Sequence, residues 1–428
     1  MNTRLILNVV FVCVSVLALT LAACAPAAAP PPVVVAEKAV SAAPAATRAP
    51  TIVQYDASSP YAAAPAPTQA APYPRPSYEP VTAGVVDDNQ QWQEYQSYRD
   101  RQRNLRVNDR DIRERYIVRV VDANQQPVHD AVVRIWAGQQ FFFEGRTDSG
   151  GQMLFHPRAL DPQRQWQQVD RFTVAAYKGQ AMQTAVFTRQ NQERWTLVLP
   201  GAPIAQWAQL DLVFLMDATG SMEDEIDKLK TTMREIAGTI DALPERPDVR
   251  YALVAYRDRG DQFVVRTNDF TSDVGAFQRT LAALQAGGGG DEPESVNEAL
   301  HRSLNELSWR PNDTVRMILL VGDAPPHLDY GEPYSYDRDM IDAVRRGIKI
   351  FPIGASGLND QGEYIFRQMA QFTGGEFVFL TYAQAGNSSS GPGTQTDHDV
   401  SNYSVDTLDR LVVRLVQEEL AKLPRYQQ

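Results

Sequence analysis

The sequence predicts an α/β fold: a doubly wound, mostly parallel sheet, preceded by a small all-β sandwich and a disordered Ala/Pro-rich tether. Three observations lead there. From about residue 208, continuous apolar runs alternate with amphipathic helical periods, the pattern of strands buried on both faces by crossover helices. Between residues 116 and 199 the apolar period is two, in short runs separated by turn residues, the pattern of a sandwich. Between Pro26 and Pro80 stand 13 of the chain's 28 prolines, set among alanines, and such a stretch cannot bury a core. A length of 428 residues implies two or three domains.

Residues 1–23 have the layout of an export signal: one charge, Arg4, then an apolar run from Leu5 to Leu21. A membrane-spanning helix is the competing reading, but the run is at the short end for a bilayer and stops at Leu21-Ala22-Ala23-Cys24. That tetrapeptide closely resembles the lipobox of bacterial lipoproteins, which implies cleavage before Cys24 and its lipidation. Cys13 then leaves with the signal, and the mature chain holds no disulfide. The expected location is a bacterial cell envelope, with the membrane reached through lipidated Cys24. Residues 24–88 are expected to be the tether, which in the polyproline II limit of about 3.1 Å per residue reaches on the order of 100 to 200 Å.

Trp92, Tyr95, Tyr98, Leu105 and Ile112 recur at spacings of three and seven, which predicts a helical segment within 89–114. Its other faces mix arginines with aspartates, as a solvated face laced with ion pairs does. Residues 115–201 follow with strands at 116–121, 131–136, 139–143, 172–176 and 195–199. The turns Asp122 to Val128 and Thr147 to Gly151, then Phe155-His156-Pro157, resemble those of transthyretin-like or carboxypeptidase-regulatory-like modules. Neither His129 nor His156 has a nucleophile near it in sequence, so the module reads as a spacer or auxiliary binding domain.

The last domain, 205–425, is expected to place strands at 210–216, 250–256, 263–270, 315–321, 349–353 and 376–380. Helices are expected at 223–243, 275–284, 295–307, 336–346, 364–372 and 405–423. Ligands of such sheets sit beyond the carboxyl ends of the strands. Three polar segments fall there: Asp217-Ala218-Thr219-Gly220-Ser221, Asp323-Ala324-Pro325-Pro326-His327, and Gly287-Gly288-Gly289-Gly290-Asp291-Glu292-Pro293-Glu294. Carboxylates and hydroxyls gathered from three loops are hard oxygen donors, suited to Mg²⁺, Mn²⁺ or Ca²⁺. Residues 387–399 read as a mobile insertion before the last helix.

These residues resemble the metal-ion-dependent adhesion site of von Willebrand factor type A domains. The resemblance implies a Rossmann-like fold and a divalent cation, Mg²⁺ foremost, held by Asp217, Thr219, Ser221 and Asp323. The family's middle Thr has no counterpart; Asp291 stands where it would be, as in a subset with a Gly-Gly-Gly-Asp-x-Pro-Glu loop. The implied partner is a protein presenting an acidic side chain to the cation.

Charge supports this division. Residues 1–90 carry net −1, 91–200 net +4 and 201–428 net −14, within a total of −11. That balance argues against nucleic acid as a partner, and the glycine run lacks the Gly-Lys-Ser/Thr ending of a nucleotide-binding loop. The leading expectation is a non-enzymatic, adhesion-type binding protein. One alternative is a hydrolase or phosphotransfer enzyme using Asp217, although Thr219 stands where haloacid-dehalogenase-like enzymes carry a second Asp. The other is a structural envelope scaffold with a non-functional metal site.

Overall fold

The computed structural model describes residues 79–161, 163, 165, 168–190, 192–205, 207–244, 246–290 and 292–424. The export signal, Cys24, the tether up to residue 78 and Asp291 lie outside them.

The described chain opens with β1 (Thr82–Val86) and α1 (Trp92–Arg101). Short strands then follow: β2 (Tyr116–Val121), β3 (Val132–Ala137), β4 (Gln140–Arg146) and β5 (Gln152–Phe155), a single helical turn α2 (Pro157–Leu160), and β6 (Arg171–Lys178), β7 (Ala181–Thr188) and β8 (Arg194–Val198). The alternating part begins with β9 (Gln209–Asp217), α3 (Glu223–Asp241), β10 (Asp248–Tyr256), β11 (Val265–Thr271), α4 (Val274–Ala282) and α5 (Val296–Asn305). It continues with β12 (Thr314–Gly322), α6 (Tyr336–Arg346), β13 (Ile348–Gly354), α7 (Asp360–Thr373) and β14 (Phe377–Thr381), and ends with β15 (Ser404–Thr407) and α8 (Leu408–Ala421).

The large sheet has the order β11-β10-β9-β12-β13-β14-β1-β15. Five strands, β10, β9, β12, β13 and β14, run parallel, as their continuous apolar runs require. Alternate residues of β9 feed two cores: Val213 and Leu215 face one with α5, α6 and α7, while Leu212, Phe214 and Met216 face the other with α3, α4 and α8. Helix ends are set by local chemistry. The Asn359 side chain accepts from the Gly362 amide at 2.9 Å to start α7, and Gly374, at φ 77°, ends it.

The small strands form a three-stranded sheet, β5-β2-β8, and a four-stranded sheet, β4-β3-β6-β7. Their core is continuous with the α5–α7 side of the large sheet. Strands β5 and β7 are additional to the expected ones. Along β7 the residues are mostly exposed, so an apolar period of two has little to act on.

Two expected boundaries change. The segment 24–88 is not all tether, because Thr82–Val86 enters the large sheet antiparallel to both β14 and β15. Its Thr-Ala-Gly-Val-Val run is short and apolar, and Gly84 fits closely under Phe379, whose ring lies 2.5 Å from where a β-carbon would stand. The expected helix across 89–114 closes early, at Arg101. Asp109 accepts from Arg99 at 2.5 Å and from Tyr364 at 2.9 Å. Ten residues of helix would rise about 15 Å, so this contact requires the chain to fold back. The stretch 387–399 is also pinned rather than loose. The Tyr382 amide donates to the Gln395 carbonyl at 2.9 Å, Thr381 Oγ1 to the Gly393 carbonyl at 2.8 Å, and the Gly393 amide to Thr82 Oγ1 at 3.0 Å.

Buried ion pairs join these layers within one unit, residues 74–428. Arg367 holds Asp88 through two bonds of 3.0 and 2.7 Å. Lys349 bridges Asp148 of the β4–β5 turn at 2.7 Å and Glu419 of α8 at 3.0 Å. Arg316 of β12 meets Asp130 at 3.1 Å. The Arg367–Asp88 pair is desolvated, both side chains being 2% exposed, so removing Arg367 strands Asp88.

The large sheet therefore takes in β1, ahead of Asn89. A shortened chain starting at Asn89 is expected to unfold at a clearly lower temperature and urea concentration than one starting at Glu79, because β14 and β15 lose their common neighbour. Equal midpoints would show that β1 contributes nothing to the sheet.

Candidate metal centre

Strands β9 and β12 are parallel neighbours with Met216 opposite Val321, so Asp217 and Asp323 leave adjacent strand ends at the carboxyl edge of the sheet. Both are buried, Asp217 completely and Asp323 at 6% exposure. Gly322 between them has no room for a side chain: a β-carbon there would lie 2.4 Å from the Tyr256 hydroxyl and 3.5 Å from Asp217 Oδ2.

After Asp217 the chain turns sharply, and the turn satisfies one carboxylate oxygen locally. Asp217 Oδ1 accepts from the Thr219 amide at 2.9 Å and from Thr219 Oγ1 at 2.7 Å. Thr219 Oγ1 also stands 3.0 Å from Ser221 Oγ, which is solvent-exposed on the single 3₁₀ turn Gly220–Met222. Asp217, Thr219, Ser221 and Asp323, four of the residues singled out from sequence, thus share one sheet edge. Asp291 lies outside the described residues.

The glycine run is fastened onto this turn. The Gly220 amide donates to the Gly288 carbonyl at 2.9 Å, and the Gly287 amide to the Ala218 carbonyl at 3.0 Å. Gly288 and Gly289 adopt φ of 78° and 65°, and a β-carbon on Gly289 would press on Glu294 Oε1 and Thr219 Cβ at 3.0 and 3.1 Å. Only glycine permits both the conformation and the approach. Arg257 supports the same loops, donating to the carbonyls of Ala218 and Gln285 at 3.0 and 2.8 Å.

The loop delivers a carboxylate that sequence reading did not select. Glu294 is 3% exposed, and its backbone is bridged to the Asp323 loop through its amide to the Pro325 carbonyl at 2.9 Å and the His327 amide to its own carbonyl at 3.1 Å. Its only signal in the sequence was its place directly before a helix, where acids are common for helix-dipole reasons alone.

At this edge three carboxylate oxygens are buried without a hydrogen-bond partner: Asp217 Oδ2, Asp323 Oδ1 and Glu294 Oε2. Buried carboxylates in such a position call for a cation or a proton. Burial, then the Asp323 charge, push the Asp217 carboxyl up; burial also raises Asp323, against an opposing bond from Ser221. Glu294 is pushed up to about 9, by burial first and then by Asp217 and Asp258. Among the described residues no three His, Cys, Asp or Glu form a metal-holding group by themselves. The donor set is instead mixed, two aspartates and two hydroxyls with Glu294 beside them, and its hard oxygens and orphaned atoms fit a divalent cation.

A carboxyl whose folded-state pKa is raised stabilises the fold below its unfolded value and loses that contribution as pH climbs through the folded value. In EDTA the chain is therefore expected to lose stability between pH 4.5 and about 9 more steeply than Glu294→Gln, measured by urea denaturation. Parallel curves for the two proteins would show that Glu294 is not held protonated.

Comparison with known proteins agrees with this geometry. The family model described as von Willebrand factor A domain matches residues 211–327. Among relatives, the chain is 40% identical over 115 residues to von Willebrand factor A domain-containing protein 7 of Rattus norvegicus, covering 27% of this chain and 12% of that protein. It is 30% identical over 123 residues to alpha-protein kinase vwkA of Dictyostelium discoideum, covering 28% and 19%. The chain thus spans less than a fifth of the length of the curated relatives it matches. A solved structure of mussel byssus proximal thread matrix protein 1 with a zinc-occupied MIDAS motif aligns with a TM-score of 0.30 at 15% identity, covering 38% of this chain and 42% of that one. Strand order, loop positions and the sequence match over 211–327 together establish that a von Willebrand factor A domain is present in this chain.

Proposed function

We propose that the chain is a lipid-anchored, extracytoplasmic binding protein of a bacterial cell envelope, whose A domain grips a protein partner through a divalent cation and performs no catalysis. The observation that carries this reading is the set of orphaned oxygens on Asp217, Asp323 and Glu294, set beside the paired hydroxyls of Thr219 and Ser221. Asp217, Asp323, Thr219 and Ser221 would hold the ion, Mg²⁺ foremost with Mn²⁺ or Ca²⁺ as alternatives, and a bound ion would accept a carboxylate from the partner. Glu294 is the further acid beside the ion; its charge, with that of Asp291 in the same stretch of sequence, would tighten the ion and temper its pull on that carboxylate.

An enzyme using Asp217 as a nucleophile is less well supported. Asp217 is fully buried, its Oδ1 is engaged by Thr219, and the histidine of the Asp323 loop, His327, has Nδ1 2.8 Å from Asp329. Anchoring rests on the apolar run that ends at Cys24; among the described residues no helix is long and apolar enough to cross a membrane. The small sheets we read as an auxiliary module that carries the A domain on its tether.

Thermal unfolding in EDTA and in millimolar Mg²⁺, Mn²⁺ or Ca²⁺ tests the ion. At about 100 times its dissociation constant a native-state ligand adds roughly 2.7 kcal/mol. We expect such a shift in the natural chain and its loss in Asp217→Ala and Asp323→Ala; no shift with any ion would sink the metal reading. Cys24→Ser, expressed in a bacterial host, is expected to leave the membrane fraction while keeping the ion-dependent shift, and a variant that stays with the membrane would refute the lipid anchor.

A further inference from the structure

At the opposite edge of the sheet, where β9 and β12 begin, the connector 202–208, the end of α8 and the turn before β3 enclose a cavity of about 390 Å³. This is the size of pockets that take small molecules, and like them it is mostly apolar, walled by Val128, Pro203, Ile204, Trp207, Leu420 and Leu423. Trp207 is 77% exposed and Ile204 40%, large apolar groups left in water beside an apolar hollow. One polar side chain of the lining is unsatisfied. His129 is 8% exposed; neither ring nitrogen has a partner at full hydrogen-bond geometry among the described residues, and the Asp148 backbone gives the ring only a weaker acceptor. Lys178, also in the lining, is engaged by Asp313. Burial holds His129 below the ordinary histidine range, so the ring is neutral and offers one donor and one acceptor.

We propose that this cavity binds a small neutral molecule with a compact apolar body and a single hydroxyl, a phenol-like ligand whose hydroxyl exchanges hydrogen bonds with His129. A hydroxyl both donates and accepts, as a neutral imidazole does. A carboxylate would instead lose its hydration among Ile204, Leu420 and Leu423, since Lys178 is already engaged by Asp313. The site is separate from the metal centre, which lies at the other end of β9.

Isothermal titration of the full chain with 4-tert-butylphenol and with tert-butylbenzene tests the assignment. We expect saturable one-to-one binding of the phenol, about tenfold tighter than the hydrocarbon, since an unmatched buried hydrogen-bonding group is costly. The binding should be indifferent to EDTA. His129→Leu should bind both molecules equally, and Leu420→Trp, which fills the hollow, should bind neither; circular dichroism of each variant should match the parent. The assignment is overturned by absence of saturable heat, by equal affinity for the two probes in the natural chain, or by a phenol preference that survives His129→Leu. It is also overturned if binding appears only after removal of residues 425–428, which would give the cavity to the chain's own end.

Discussion

The constraint on which the rest depends is electrostatic: Asp217 and Asp323 are forced together, out of water, at the ends of two parallel strands. The register of β9 on β12 sets their positions, and Gly322 removes any side chain that could separate them. The turn through Thr219 satisfies one oxygen of Asp217 and leaves the other facing Asp323. The glycine loop, which is bonded to that turn, adds Glu294 to the same confined space instead of a neutralising base. A proton or a cation must balance this charge, and the fold around it is built so that the loops cannot relax away.

Other buried charges in the molecule show the opposite solution. Asp88 has Arg367, Asp130 has Arg316, and Glu419 has Lys349 and Lys422. These pairs hold the segment before α1 to α7, the turn before β3 to β12, and α8 to β13, and each acid has an arginine or lysine within 3.1 Å. The contrast gives the metal-edge oxygens their meaning. At the carboxyl edge of the sheet, where ligands of this fold bind, three acids instead stand together with oxygens left unpartnered.

The central strands of the large sheet and its helices were legible because those strands are apolar through most of their length and the helices carry a clear stripe. Leu210 to Met216 and Val315 to Val321 admit little else, and helix 336–346 falls where its period places it. The residues at the strand ends were legible as a motif of donors. Glu294 was not, because its burial depends on Gly289 being bare and on its backbone pairing with Pro325 and His327, neither of which is local in sequence. For the same reason β1 was hidden. A five-residue run after a proline-rich stretch becomes a strand only when β14 and β15, some 300 residues later, offer edges on both sides. Helix α1 ended sooner than its period suggested because the bond from Arg99 to Asp109 folds the chain back, a tertiary contact that no helical stripe encodes.

Strand β9 connects the two ends of the molecule. Its last residue, Asp217, lies in the metal centre, and the residues just before its first, Trp207 and Ala208, line the apolar cavity. Nine residues at about 3.3 Å each place these ends roughly 30 Å apart along a strand that is flanked on both sides and buried on both faces. A central parallel strand held in this way could slide only by breaking its ladders to β10 and β12 and its packing on both faces at once, so it does not slide in response to either site. Communication between the ends, where it exists, must run through elements with a second arrangement open to them. The sheet's part is to keep the two carboxylates together whatever occupies the far edge.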